Sequence, residues 1–504
     1  MNTTKAERLL QRRIPNLFID QLVISYFKEC TPKILIFTDG LNFNSNNDFG
    51  LTDFVDTIKN TSIHGMTPIV ETAHSGNSAA DHTNFTFTSS TLSKSKYDVL
   101  FLFGAASSGS LPAPEVSVIS KFMDDGGGVF ATGDHSYLGM RLCGNIKRIK
   151  EMRRWAGPSA GGTDRISTND PGADNTFQFE DQSDTIPQKI YPAYTGNQTS
   201  SAPHYLLQHP TKKIIEVLPD HPHESECTVP NSLASSDWPE DSLGNAVSPE
   251  VVAISVSYGG GFTGKEPIST PRSFNAIVAY DGHNANVGRI STDATWHHFI
   301  NINLINTSSG PGLIANPDAY DRVNTYFGNI AKWLMPKNTR RCLRWPIIIA
   351  VKEMYPIKEF LFDIKKSPDL TTLLELGQEM QTTLARVMTP GEQQEFVTDL
   401  FEMHSEDLAQ QITSLHKQSN NIEDQIGLRT APLELMEQAA LGAVVHAVAT
   451  AVPTNSDLET CLKEIGGSKG LTKITKRTLK HAFKELSSAV YKGRERIDTM
   501  LDHC

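Results

Sequence analysis

The chain has 504 residues, of which 38% are hydrophobic and 20% charged, and its formal net charge is −11. This length predicts two or three domains, and the composition is that of a globular protein rather than a disordered one. The acidic balance disfavours a general nucleic-acid or anionic-membrane binding face. The basic N-terminus lacks the apolar core of a secretory signal, and the longest apolar stretch, 439–452, is too short to span a bilayer. We therefore predict a soluble protein with no membrane partner.

The six cysteines are scattered and form no CxxC pair. This spacing predicts reduced thiols in a cytoplasmic protein rather than a disulfide or zinc-ribbon framework. The positions are Cys30, Cys143, Cys227, Cys342, Cys461 and Cys504.

The first two-thirds of the chain alternates apolar strand patterns with amphipathic helix patterns. Alternation of this kind predicts βαβ units and a doubly wound, mostly parallel sheet of the flavodoxin-like or amidotransferase-like type. A polar insert rich in Gly, Pro, Asp and Ser interrupts the pattern at about 155–270. The predicted strands are 33–40, 67–72, 97–104, 128–132, 251–257, 274–280 and 288–292, and the predicted helices are 53–59, 115–124 and one that ends near Leu334.

Beyond Pro336 the strand signals fade and a 3.6-residue periodicity takes over. We predict an N-terminal helical lead-in at 1–30, an α/β domain at 31–336 and an all-α domain at 345–504. The basic segment 463–496 has two interpretations: a solvated helix face, or a docking surface for a partner or nucleic acid.

The stretch Gly126–Gly139 carries the strongest functional signal. A glycine cluster leads into a short apolar strand that breaks at Gly133 and presents Asp134 and His135. The carboxyl ends of parallel strands are where catalytic groups collect, and a sharp strand-to-helix turn lifts side chains out of the sheet. The alternative is an ordinary turn in which Asp134 caps the next helix.

The second signal is the segment 288–299, which reads as a strand ending in His297 and His298 beside a tryptophan. Adjacent side chains point in different directions, so at least one histidine is expected to face the cleft at the strand ends. Imidazole is the usual acid or base near neutral pH. The candidate catalytic residues are Asp134, His135, His297 and His298.

These motifs resemble the class I glutamine amidotransferase-like fold over residues 30–335, and most closely its trehalose-utilisation branch. In the amidotransferases the turn reads Gly-x-Cys-x-Gly, and a later strand ends in the histidine that activates the cysteine. The resemblance places His135 at the nucleophile position and His297 near the catalytic histidine. Without a thiol at position 135 the chain is not a glutaminase. Cys143 follows in the next helix and is expected to be buried and inert.

A third cluster lies inside the polar insert at 220–224. Its Asp, His and Glu side chains are the ligand types that a divalent metal such as zinc prefers, so the cluster predicts a metal site. The alternatives are a polar active-site loop or a turn capped by the aspartate. If the insert folds over the strand ends, these side chains join His135 and His297 in one pocket. Further candidates for that rim are Asp39 and the pair Asp281 and His283; the metal candidates are Asp220, His221, His223 and Glu224.

Two hypotheses about function remain open. In the first, the chain is an enzyme with a His/Asp site, metal-assisted or not, that performs hydrolysis or proton transfer on a small sugar-like or nucleotide-like substrate. In the second, it is a catalytically retired amidotransferase-like sensor or scaffold whose helical domain docks a partner or drives oligomerisation. The density of titratable groups near strand ends favours the enzyme, and the missing cysteine favours the scaffold.

Overall fold

The computed structural model describes most of the chain. The described residues are 26–76, 79–134, 137–155, 187–193, 203–219, 225–234, 236–257, 272–305, 312–354, 357–363, 368–404, 430–453 and 457–501. The predicted N-terminal lead-in falls almost entirely outside them.

The strands follow the buried apolar runs of the sequence. In the described residues they are β1 (Lys33–Thr38), β2 (Ile69–His74), β3 (Val99–Phe103), β4 (Gly128–Thr132), β5 (Gln188–Lys189), β6 (Tyr191–Pro192), β7 (Gln208–His209), β8 (Lys213–Ile214), β9 (Val217–Leu218), β10 (Glu250–Ser257), β11 (Arg272–Tyr280) and β12 (Ile290–Asp293). Every residue of β3 and β4 is buried, as expected for strands covered on both faces of a parallel sheet.

Eight of these strands form one sheet in the order β2-β1-β3-β4-β12-β11-β10-β6. The first five run parallel, which confirms an α/β fold with a mostly parallel sheet. The last three run antiparallel to their neighbours. Strands β10 and β11 pair directly, with Val251 opposite Val278, so the βαβ pattern does not continue through this part of the chain.

A helical C-terminal region follows the sheet, as predicted. The described helices are α1 (Thr52–Asn60), α2 (Ala113–Asp124), α3 (Met140–Cys143), α4 (Ile149–Met152), α5 (Asn301–Leu304), α6 (Pro317–Trp333), α7 (Lys337–Lys352), α8 (Ile357–Asp363), α9 (Leu370–Leu384), α10 (Pro390–His404), α11 (Thr430–Ala451), α12 (Leu458–Ile465) and α13 (Gly467–Leu501). Among the described helices none has the length and apolar character needed to cross a membrane.

One hydrophobic core joins the sheet to the C-terminal helices. It contains strand residues such as Ile34, the aromatic centre around Phe54, and helical residues as far along the chain as Leu479. Buried ion pairs lie within the helical region: Arg340 and Arg344 of α7 both bind Asp399 of α10, at 2.9 and 2.6 Å. Helix α7 is continuous across the interval 336–345 that separates the two predicted domains.

The expectation of six reduced thiols is wrong for two of them. Cys30 and Cys342 form a disulfide whose Cα atoms lie 5.7 Å apart across a sequence separation of 312 residues. Cys30 sits immediately before β1 and Cys342 lies on α7, so only the folded chain brings them together. The bond ties the start of the sheet to the first helix of the C-terminal region.

Candidate functional site

The site lies where β4 and β12 end side by side. The chain turns sharply after β4 because three glycines pack backbone against backbone. A side-chain carbon added at Gly104 would lie 2.6 Å from the Cα of Gly139, and one at Gly133 would lie 2.5 Å from the carbonyl oxygen of Leu138. Gly139 also has a φ of 96°, which favours glycine. This packing places Asp134 just beyond the carboxyl end of β4, at the carboxyl edge of the sheet.

Asp134 faces His297 across this edge. The distance from His297 Nε2 to Asp134 Oδ2 is 3.4 Å, and the two side chains are 6% and 0% exposed. His297 stands on a 3-10 turn, Trp296–Phe299, that follows directly after β12. The structure therefore brings together two of the residues that the sequence proposed, in the carboxylate–imidazole arrangement used for acid–base chemistry.

Thr295 holds this pair in place. Its hydroxyl donates to Asp134 Oδ1 at 2.9 Å and accepts from the His297 amide at 3.0 Å. Its own amide donates to Asp293 Oδ1 at 3.2 Å. One threonine thus fixes the carboxylate of the pair and the turn that carries the imidazole.

His298, the neighbouring candidate, belongs to a second and deeper pair. Its Nδ1 lies 2.7 Å from Asp293 Oδ1, and neither side chain has any exposed surface. Tyr326 donates its hydroxyl to Asp293 Oδ2 at 2.8 Å, and burial raises the pKa of this tyrosine well above its usual range. A substrate does not reach a fully buried imidazole, so the position of His298 suits support of the strand end.

Arg153 organises the backbone beneath the site, although no sequence motif marks it as a functional residue. Its guanidinium donates to the carbonyl oxygens of Asp134, Asp293 and Ala294 at 2.7 to 3.2 Å. It also stacks over the ring of Trp155, with 4.7 Å from Cζ to the centroid. The side chain thereby ties the end of β4 to the end of β12. The nearby Trp155 hints at a stacked arginine, but only once the structure is known.

Two aromatic side chains flank the imidazole, Trp296 from the turn after β12 and Phe49 from the loop after β1. Trp296 stacks on His297 with 4.4 Å between ring centroids, and Phe49 lies 6.5 Å from the same imidazole while remaining 43% exposed. Asn301 secures the loop: its amide donates to the Gly50 carbonyl at 2.8 Å, and its side chain donates to the Asn47 carbonyl at 3.1 Å.

Asp39 lies on the same edge of the sheet, as predicted, because β1 and β4 both run parallel to β3. Its Oδ1 accepts from the amides of Ala105 and Ala106 at 2.7 and 3.1 Å. Its Oδ2 is buried without a hydrogen-bond partner in the described part of the chain. Burial raises the pKa of this carboxyl above its ordinary value.

The prediction that Asp281 and His283 join this rim is wrong. Strand β11 runs antiparallel to β12, so its carboxyl end lies at the opposite edge of the sheet. There Asp281 pairs with Arg289 at 2.8 Å, and burial holds the pKa of His283 well below its usual range. These residues stabilise the far edge.

Five candidates lie outside the described residues, namely His135, Asp220, His221, His223 and Glu224. Within the described ranges, the ligand-type cluster that forms is Glu29 with Cys30 and Cys342. Because its two sulfurs form the disulfide, it offers no thiolate to a metal. Cys143 is buried in α3, and burial raises the pKa of its thiol well above the usual range, so it makes a poor nucleophile.

A comparison of the chain with protein-family models and with curated proteins finds no match. The geometry of the strand-end site is therefore the basis for assigning a function.

Proposed function

We propose that this chain is an enzyme in which His297, oriented by Asp134, transfers a proton on a small polar substrate at the carboxyl edge of the sheet. The observation that carries the proposal is the buried contact of 3.4 Å between His297 Nε2 and Asp134 Oδ2. A carboxylate paired with one ring nitrogen selects the tautomer and stabilises the imidazolium that forms when the other nitrogen takes a proton.

The order of the five parallel strands supports a flavodoxin-like or amidotransferase-like fold for the α/β part. In doubly wound sheets of this order, ligands bind where the connections leave to opposite sides, which here is the crevice between β1 and β3. Asp39 stands at that crevice, and one of its carboxylate oxygens has no hydrogen-bond partner among the described residues. We propose that a sugar-like or nucleotide-like substrate spans this crevice and the Asp134–His297 pair, and undergoes hydrolysis or proton transfer.

The remaining candidates take proposed roles in the same reaction. His135 follows Asp134 directly and is proposed as a second acid or base. His298 is proposed to position the turn that carries His297. The insert residues Asp220, His221, His223 and Glu224 are proposed to hold a divalent metal such as zinc, whose chemistry would be to activate a water molecule.

The test compares turnover of a panel of glycosides, sugar phosphates and nucleotides by the wild-type protein and two variants. His297→Gln and Asp134→Asn keep the size of each side chain, and each is expected to lower kcat by about a hundredfold or more. His82→Gln, a half-exposed histidine bound to Glu71 on the edge strand, is the control and should retain activity. Full activity in both site variants would exclude the proposed role of the pair.

Metal analysis of the purified protein tests the metal assignment separately. One equivalent of metal that is lost in His221→Ala and His223→Ala would support the ligand set. Wild-type protein that retains no divalent ion after dialysis against trace zinc contradicts it, without bearing on the pair.

The retired-enzyme hypothesis stays as the second candidate because the buried Cys143 and the thiol-free turn remove amidotransferase chemistry. On this hypothesis the site binds a ligand without turnover, and α13 docks a partner or a second copy. Ligand-induced thermal stabilisation that persists in His297→Gln, with no turnover in the wild type, would favour it over the enzyme.

A further inference from the structure

A cavity of about 1360 Å³ lies away from the strand-end site. It runs between α1 and α6 and reaches the C-terminal helices at the start of α10. Most of its lining residues are polar, and they include neither Asp134 nor His297. One end of this cavity offers hydrogen-bond donors and the other offers carboxylates, and this difference indicates which ligand would fit.

His64 forms the inner end and is only 7% exposed. Its Nδ1 lies 3.3 Å from Nη1 of Arg344, and since a guanidinium only donates, Nδ1 must accept. Burial, followed by the charges of Arg344, Lys332 and Arg340, holds the pKa of His64 well below its usual range. The imidazole is therefore neutral, and its proton resides on Nε2.

The Nε2–H group has no acceptor among the described residues, although its nitrogen is buried. His64 lines the cavity, whereas Arg344 does not. His64 also has a φ of 49°, a left-handed conformation that is uncommon for residues other than glycine. An unsatisfied buried donor held in such a conformation indicates a place for an acceptor.

The charged side chains at the inner end also favour a hydrogen-bond acceptor there. Lys332 binds Glu392 Oε1 at 2.9 Å, and the second oxygen of Glu392 accepts from the Thr389 amide at 2.8 Å. Both oxygens of the carboxylate are thus engaged, while an ammonium has three protons to donate. The inner end consequently offers donors from His64 and Lys332 to an oxyanion.

The outer end has the opposite character. Asp53 Oδ1 accepts from the Tyr320 hydroxyl at 2.7 Å, whereas Oδ2 is buried without a hydrogen-bond partner in the described residues. Burial raises the pKa of Asp53 despite the hydrogen bond from Tyr320, and the charge of Asp56 raises it further. A cation at this end would relieve the repulsion between the two carboxylates.

The two ends are separated by the length of α1. Asp53 is in its first turn and Asn60 is its last residue, so the helical rise between them is about 10 Å. His64 follows shortly after the end of the helix. One ligand that spans this distance can reach both ends of the cavity.

We propose that the cavity binds a linear zwitterion, with its carboxylate at His64 and Lys332 and its ammonium at Asp53 and Asp56. The matching chemistry is that of an ω-amino carboxylate or of the side chain and carboxylate of a C-terminal lysine. This site does not depend on the enzyme function proposed for Asp134 and His297.

The test is isothermal titration of the full-length protein with ε-aminocaproate, and with caproate and hexylamine as its two halves. We expect ε-aminocaproate to bind at least tenfold more tightly than either half-ligand. The shorter γ-aminobutyrate cannot reach both ends and should bind about as weakly as the halves. Asp53→Asn and Lys332→Met should each weaken ε-aminocaproate binding about tenfold to a hundredfold, the usual effect of losing a charged hydrogen-bond partner.

The control variant is Asp125→Asn, an exposed aspartate on the other side of the sheet that pairs with Lys121, and it should bind like the wild type. His64→Gln is tested only if its thermal unfolding matches the wild type, because His64 also accepts from Arg344. Equal binding of ε-aminocaproate and a half-ligand, unchanged binding in Asp53→Asn, or no detectable binding of ε-aminocaproate would each overturn the proposal and leave a water-filled cavity.

Discussion

The hydroxyl of Thr295 donates a hydrogen bond of 2.9 Å to Asp134 across the ends of β12 and β4. Through its amide the same residue reaches Asp293, which is paired with His298. Thr295 therefore joins an Asp–His pair at the edge of the sheet to a second one beneath it. The arrangement has a cost, since two carboxylates are removed from water and depend on a few donors.

We predict that Thr295→Val destabilises the fold by about 1–3 kcal/mol, because it leaves the buried Asp134 carboxylate short of one donor. Thr295→Ser keeps the hydroxyl and should recover most of the loss. Urea unfolding of the three proteins measures the effect. Equal stability of the valine and serine variants would show that the hydroxyl does not hold the pair.

Arg153→Met should destabilise the protein by about 3 kcal/mol or more, because several buried carbonyl oxygens at the ends of β4 and β12 lose their donor together. Arg153→Lys retains the charge but not the planar fork, so it should recover only part of this stability. The matched control is Arg154→Met. The neighbouring Arg154 is 30% exposed and faces Glu226 at 3.4 Å, so its replacement should cost under about 1 kcal/mol. Denaturant unfolding that ranks the two methionine variants equally would contradict this account.

Acid is predicted to weaken the fold below pH 6.5. Burial lowers the pKa of His64 and of His283 well below the value of 6.5 that an unfolded histidine has. As the pH falls below 6.5, the unfolded chain binds protons that the folded chain does not, so the free energy of unfolding decreases. The loss approaches about 1.4 kcal/mol per pH unit for each histidine.

Unfolding free energies at pH 7.5, 6.5 and 5.5 measure this slope. His283→Gln should make it shallower by the share of one histidine, whereas His82→Gln, on the surface, should leave it unchanged. A wild-type slope that is flat between pH 6.5 and 5.5 would contradict the burial of both imidazoles in neutral form.

The disulfide predicts a large dependence of stability on redox state. Closing a chain segment of 312 residues stabilises the fold by about 6 kcal/mol in the chain-entropy model. Cys342→Ser and reduction of the wild type should therefore lower the thermal midpoint by similar amounts, and Cys461→Ser should not. Peptide mapping without reductant should recover the Cys30–Cys342 pair. Alkylation of both thiols in unreduced protein would show that the bond does not form.

Much of the sheet could be predicted from the sequence because its parallel strands are short apolar runs that end in polar turns. The predicted strand 128–132 matches β4 residue for residue, and Asp134 and His297 were proposed because each follows such a run. The direction of β10 and β11 was not predictable in the same way. An apolar run does not reveal in which direction the strand will run. The polar insert before β11 likewise gives no sign that the chain reverses there, which places Asp281 at the opposite edge of the sheet.

Contacts between distant residues were the other part that the sequence could not supply. No pattern in the segment around Arg153 predicts that this arginine binds carbonyl oxygens some 140 positions away. The same holds for Cys30 and Cys342, whose spacing favoured separate thiols. Neighbouring positions in the chain also have different environments. His297 lies at the carboxyl edge of the sheet, whereas His298 is enclosed in the core.

The buried ion pairs between α7 and α10 affect how the molecule comes apart. Arg340 and Arg344 share Asp399 in the same core that continues from the sheet into α13. Separating α7 from α10 would take both guanidinium groups away from the one carboxylate that they share, and separating the helical region from the sheet would expose the common core. We expect calorimetry to show a single heat-absorption peak for both regions. Because the two regions unfold as one unit, neither can be replaced by the corresponding region of another protein without the other.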